Sequence, residues 1–136
     1  MSIQIDFQGV AVARANLKKV FDATDDGKSV TLGRGDGIVV ALPLEKIQQF
    51  LFETIPAKIE TEVTKDGTWL YSTTLPFHSE GKDVDAALED MIAVLREYAE
   101  DWEDHLLTAP NHSDYWGLVQ LIKLSTDEQL KNWLER

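Results

Sequence analysis

Two runs of β-forming residues, 29–32 and 38–42, are separated by Gly33-Arg34-Gly35-Asp36-Gly37, and this interruption constrains the fold more than any other feature of the chain. Strand formers flanking a short glycine loop specify a β-hairpin in which at least one loop residue takes positive φ. Helical signals lie on both sides. Upstream, Val10, Ala13, Leu17, Val20, Phe21 and Thr24 recur with the period of one helix face, and Asp25-Asp26-Gly27 stops the pattern, with Gly27 placed for a left-handed cap. Downstream, Pro43 opens a second helix, since its missing N–H costs nothing at the first helical position. Leu44, Ile47, Phe50, Leu51 and Ile55 form the apolar face of that helix, and Pro56 ends it. With residues 2–7 as a short strand or lead-in, residues 1–55 read as a β-α-β-β-α unit. A unit of that size is marginal alone and gains from dimerisation.

Residues 56–136 read as a second α+β domain. A strand over 58–64, carrying Ile59 and Val63, meets a tight turn at Asp66-Gly67 and a return strand over 68–77. Trp69, Tyr71, Thr73, Leu75 and Phe77 share one face of that strand by its period of two, and tryptophans on such stripes are expected mainly in the core. Asp83 is a candidate N-cap for a long helix striped with Val84, Ala87, Leu88, Met91, Ile92, Leu95, Tyr98, Trp102 and Leu106. Ala109-Pro110-Asn111 breaks it. The apolar stretch 115–124 fits a buried helix or a strand, with helix favoured. Ser125-Thr126-Asp127-Glu128 reads as a capping box, with Ser125 at the cap, before a last helix through Leu130, Trp133 and Leu134. The expected fold is therefore α+β: the β-α-β-β-α unit, then a β-hairpin packed on a long helix, then C-terminal helices.

Composition narrows the chemistry. The chain has no cysteine, which removes disulfides, thiolate catalysis and cysteine-based zinc sites. No apolar run approaches the ~18 residues of a membrane span, and no basic-then-apolar leader follows Met1, so a cytoplasmic location is expected. The net charge of −11 is unevenly spread: residues 1–54 hold six basic and seven acidic side chains, the rest seven and seventeen. So acidic a domain repels phosphate backbones and attracts basic partners, although the acids also serve plain solubility. His105 and His112 lie near Asp104 and Asp114 without the spacing of a metal site, and His78 has no neighbouring nucleophile. The long helix's acids read as a solvated face, and the glycine cluster lacks the Lys-Ser/Thr and helix start of a phosphate loop. A non-enzymatic protein without cofactor or metal is expected.

Ala13-Arg14-Ala15-Asn16-Leu17 resembles the first-helix signature of the prevent-host-death (Phd/YefM) antitoxins. The similarity continues through Val20-Phe21, the stop at Asp25-Asp26-Gly27, the strand ending in Arg34, the glycine turn, the strand over 38–42 and Leu44-Glu45, covering about residues 5–51. The resemblance implies a symmetric dimer in which Arg14 and Arg34 contact operator DNA, and Lys18, four residues beyond Arg14, is placed to add a phosphate contact. In the second domain the strand, Asp-Gly turn, strand, Gly81 and Asp85-Ala86-Ala87-Leu88-Glu89 resemble the HicB-type antitoxin module, which implies contact with a toxin. The candidate partner surface is Glu97, Glu100, Asp101 and Asp104 around Trp102, suited to a basic, ribonuclease-like toxin. The function expected is that of a type II antitoxin that also represses its own operon. The alternative is an interaction or oligomerisation protein that keeps the fold without binding DNA.

Overall fold

In the computed structural model, which describes residues 2–136, the glycine-rich interruption folds as a hairpin of β2 (Val30–Arg34) and β3 (Gly37–Ala41). Its strands run further into the glycine cluster than composition suggests. Gly33 pairs with Ile38 and Arg34 with Gly37, leaving a two-residue turn at Gly35-Asp36. Gly35 has φ +58° while Asp36 stays at negative φ, the sign pattern of a type II′ turn, which suits the right-handed twist of a hairpin. β1 (Phe7–Gln8) adds in parallel to the other side of β2, giving the order β1-β2-β3. Asp6 and Thr31 lock this edge: each backbone N–H donates to the other's side chain at 2.9 Å.

The first helical pattern is not one helix. α1 (Val10–Ala15) stops at Asn16, whose φ is −113°, and α2 (Leu17–Asp25) begins after it. The Asn16 side-chain amide donates to the Val12 carbonyl at 2.8 Å, beside the Asn16 backbone N–H at 3.1 Å, and so caps the end of α1. α2 closes as expected: the Lys28 N–H reaches the Ala23 carbonyl and the Gly27 N–H reaches that of Thr24, a Schellman cap around Gly27 at φ +85°. The apolar stripe is a further correction. Only Val20 of it is buried, whereas Leu17 is 51% and Phe21 62% exposed. Leu44 and Phe50 of α3 (Leu44–Thr54) are exposed as well, with Leu51 its one fully buried residue.

The chain divides into two compact units, Met1–Ile47 and Gln48–Arg136. The second takes in the C-terminal half of α3, which is tied within that unit by Gln48 donating to the Leu124 carbonyl and by the Trp133 indole N–H donating to that of Ile55 at 2.7 Å. Its sheet is a three-stranded antiparallel meander rather than a hairpin: β4 (Ile59–Thr64), β5 (Gly67–Ser72) and β6 (His78–Gly81). The return strand stops at Ser72, whose hydroxyl accepts from the Thr74 and Leu75 N–H groups, and the chain turns there into a third strand that composition did not reveal. The first turn sits at Lys65-Asp66, one residue earlier than the Asp66-Gly67 expected, with Gly67 at φ +146° closing the pair with Thr64.

α4 (Val84–Asp101) packs on the inner face of β5 and β6 and contacts α5 (Trp116–Lys123) and α6 (Asp127–Leu134). Asp83 caps it by accepting from the Ala86 N–H at 2.8 Å. The expected stripe supplies the core: Ala87, Leu88, Met91, Leu95 and Trp102 are buried with Leu118, Val119, Leu121, Ile122, Leu130 and Trp133. The α-helix ends at Asp101, and Trp102–Leu106 form one π-helical turn. Of the stretch 115–124, Trp116–Lys123 form an α-helix, the favoured of the two expected states. The capping box lies one residue beyond its expected place, with Thr126 as cap and Gln129 as its reciprocal partner, because Ser125 is buried and spends its hydroxyl on the Leu121 carbonyl.

Candidate functional site

The first unit holds six basic and six acidic side chains, so the whole formal charge of the chain resides in the second unit, with seven against eighteen. A neutral unit can approach a polyanion without the repulsion that the second imposes. Arg14 stands in the last turn of α1 and Arg34 at the hairpin end of β2. Although twenty residues apart in sequence, both line one cleft of 360 Å³ whose other walls are Gly9, Val10, Ala13, Leu17, Val20, Leu32, Gly33 and Val39. Both arginines are exposed, and neither has an ion-pair partner among the described residues. The fold thus presents two uncompensated guanidiniums at the margin of one apolar depression. Such forks suit phosphates and guanine edges.

Lys18 is a different case. The break at Asn16 puts it on α2, so helical i,i+4 spacing from Arg14 does not apply. Its ammonium pairs with Asp22 at 2.7 Å across a fully solvated turn. Such a pair contributes little to stability but compensates the charge a phosphate would seek.

Gly9 and Gly33 were not singled out as site residues in the sequence. Gly9, at φ +99°, lets the chain turn from β1 into α1, and its N–H donates to the Gly33 carbonyl at 2.8 Å. At Gly33 the end of the Gln8 side chain occupies the space a Cβ would take. The signal was the glycine next to a strand, which marks close backbone approach.

Around the cleft lies much exposed apolar surface. Val10, Val12, Leu17, Phe21, Ile38, Val39, Val40, Leu42 and Leu44 are all exposed, while Val20 and Val30 are the unit's buried hydrophobics. β3 is an edge strand and shows apolar side chains on both faces, a feature soluble monomers avoid.

On the second unit, Glu97, Glu100, Asp101 and Asp104 are exposed as expected. Trp102, expected at their centre, is 2% exposed and donates its indole N–H to the His112 carbonyl at 2.7 Å. It anchors the core and offers no surface to a partner. Glu100 and Glu103 border a hollow of 260 Å³ with Arg96, Ala99, Ile122 and Lys123, and Lys123 pairs with Glu103 at 2.9 Å. Other helix polars are structural. Asp90 accepts from the Glu80 N–H at 3.1 Å, and the Arg96 guanidinium binds the Ile122 and Ser125 carbonyls and the Asp127 carboxylate. His112 takes part in an aromatic group with Phe77, Tyr98 and Tyr115, its Nδ1 2.8 Å from the Tyr98 hydroxyl. Burial pushes the Tyr98 phenol above its ordinary pKa, with Tyr115 adding to the shift. Among the described residues, no group of three or more acids and histidines is placed to hold a metal ion, and no helix is long and apolar enough to cross a membrane.

Among the described residues these elements make a mixed α+β protein with two small sheets and six α-helices. A crystal structure from Syntrophomonas wolfei subsp. wolfei, described as the antitoxin part of a proposed toxin/antitoxin system, has the same fold. The two superpose with a TM-score of 0.78 over 96% of each chain, at 16% sequence identity. No protein-family model and no curated protein matches the sequence.

Proposed function

We propose that the chain is the non-enzymatic antitoxin of a type II toxin–antitoxin pair. Two copies join through their first units and bind operator DNA with Arg14 and Arg34, repressing their own operon. The second unit holds a basic, ribonuclease-like toxin in the cytoplasm, with Glu97, Glu100, Asp101 and Asp104 among its contacts. The observation that carries the DNA half is the convergence of Arg14 and Arg34, unpaired, on one cleft of a charge-neutral unit. The full-length likeness to the Syntrophomonas wolfei structure supports the antitoxin role, and the Phd/YefM-like motif over residues 5–51 agrees with it. The exposed apolar residues of the first unit supply the surface that a second copy would cover.

Gel-shift titration on the DNA upstream of the gene tests the reading. Arg14→Ala and Arg34→Ala should each weaken binding, and each should lower the slope of log K against log salt by about 2 per dimer, two phosphate contacts at about 0.9 each. Binding indifferent to both substitutions refutes the assignment. The second reading, an interaction protein that does not bind DNA, is favoured by the neutral rather than basic first unit. It predicts no shift at any salt concentration, with dimerisation intact.

A further inference from the structure

The meander of the second unit has an inner face closed by α4 and an outer face left open among the described residues. Inward, Thr68, Leu70 and Ser79 are buried, Leu70 to 1% exposure, and the Ser79 hydroxyl donates to the Ala87 carbonyl. Outward, register places Glu62, Trp69 and Glu80 side by side in one row and Glu60, Tyr71 and His78 in the next. Trp69 is 40% and Tyr71 38% exposed, although both stand on the central strand, where large aromatics ordinarily find cover. The Tyr71 hydroxyl donates to Glu60 at 2.8 Å, fixing its ring and holding the phenol above its ordinary pKa, first through that bond and then through the Glu60 charge. The sequence reading set these two aromatics mainly in the core. Period two gave their shared face correctly but could not say which face α4 would cover.

We propose that this outer face is a docking platform for a protein segment presenting arginine side chains, which stack on Trp69 and Tyr71 and pair with Glu62, Glu80 and Glu60. Three arguments fix the occupant's chemistry. Adjacent ring faces attract guanidinium most strongly on tryptophan and next on tyrosine, and carboxylates one strand away are placed to meet the fork's edge. The charge of the unit, with seven basic and eighteen acidic side chains, repels nucleic acid and equally repels a second copy of this face, where glutamate would meet glutamate. And because β5 is paired on both sides, the occupant must lie across the face through its side chains rather than add a strand to β5.

The platform lies on the opposite side of the sheet from α4 and is separate from the acidic helix surface. It deepens the partner half of the proposed function and rests on that reading only for the source of the basic segment.

The test uses the full chain with hexaarginine, hexalysine and hexaglutamate as probes, followed by ¹⁵N-resolved NMR. Hexaarginine should move the Trp69 indole signal and the amides of β4, β5 and β6 while leaving the Trp102 and Trp133 indoles in place. It should bind several-fold more tightly than hexalysine, and hexaglutamate not at all. Trp69→Ala should weaken hexaarginine binding by about tenfold. Glu62→Gln with Glu80→Gln keeps both shapes and should do the same with the fold intact. Equal affinity for hexaarginine and hexalysine, shifts confined to α4 amides, or unchanged binding by the double glutamine variant each overturns the proposal. A peptide response without capture of a neighbouring gene product sinks the antitoxin reading and leaves the platform standing. Capture that survives Trp69→Ala, with no peptide response, does the reverse.

Discussion

Replacing Arg96 with methionine should loosen the joint between α5 and α6 while leaving every core-facing side chain in place. Methionine keeps most of the methylene stem and removes the fork. That fork makes three kinds of contact. One N–H goes to the Ile122 carbonyl at the end of α5, another to the Ser125 carbonyl at 2.8 Å, and two reach the same oxygen of Asp127 at 2.7 and 3.2 Å. The carboxylate part contributes little, because the Asp127 side chain is 73% exposed and its partner 34%. The carbonyl part dominates. Hydrogen bonds from a charged donor contribute about 1.5–3 kcal/mol each when enclosed; the half-open setting brings each of the two down to about 1 kcal/mol, so the total loss should be about 2 kcal/mol. At about 4 °C per kcal/mol for a chain of this size, the melting temperature should fall by roughly 8 °C. All four tryptophans lie in the second unit, so urea unfolding followed by tryptophan fluorescence reads that unit alone. Asp127→Asn separates the two parts and should cost less than about 1 kcal/mol. If Arg96→Met costs no more than Asp127→Asn, the carbonyl clamp is not what holds the joint.

Gly81→Ala should destabilise the second unit by about 1–3 kcal/mol in the same urea assay, since its Cβ would sit 2.4 Å from the Ala87 nitrogen and 2.6 Å from the Ala86 carbonyl carbon, both rigid backbone. Thr126→Ala should cost about 1 kcal/mol by opening the capping box, whereas Glu128→Ala, at the position the sequence had favoured, should cost almost nothing. Tyr98 is the group to follow in alkali. Its folded pKa lies above the unfolded value of about 10, so the protonated phenol contributes stability that is fully present below pH ~10 and is lost as pH rises through the folded pKa. Absorbance titration should show two phenols ionising late, Tyr71 and Tyr98, and Tyr98→Phe should remove one of the two. Ordinary titration of every tyrosine would refute the claim.

Local signals were legible in the sequence wherever the physics is local. Gly27, at positive φ, Asp83, one hydrogen bond from its own helix, and the hairpin around Gly35 all follow from backbone sterics or a donor within a few residues. The long stripe through Leu88, Met91 and Leu95 was legible because a helix with so wide an apolar face has few ways to satisfy it. Arg14 and Arg34 could be named from their motif, but their meeting at one cleft depends on β1 pairing with β2, which no local pattern specifies.

The break at Asn16 and the halt at Ser72 were missed because each is marked by a side chain bonding nearby backbone, which apolar periodicity does not register. Periodicity tells which residues share a face and stays silent on what covers it. It therefore put Leu17 with Val20 and Phe21, and Trp69 with Tyr71, on shared faces, while their exposure was decided by where the other elements pack. Sequence alone determined the caps at Gly27 and Asp83, the glycine hairpin and the separation of charge between the two halves. Tertiary structure decided which apolar faces became core and which stayed open, because burial belongs to pairs of surfaces and a chain's local pattern describes only one of the two.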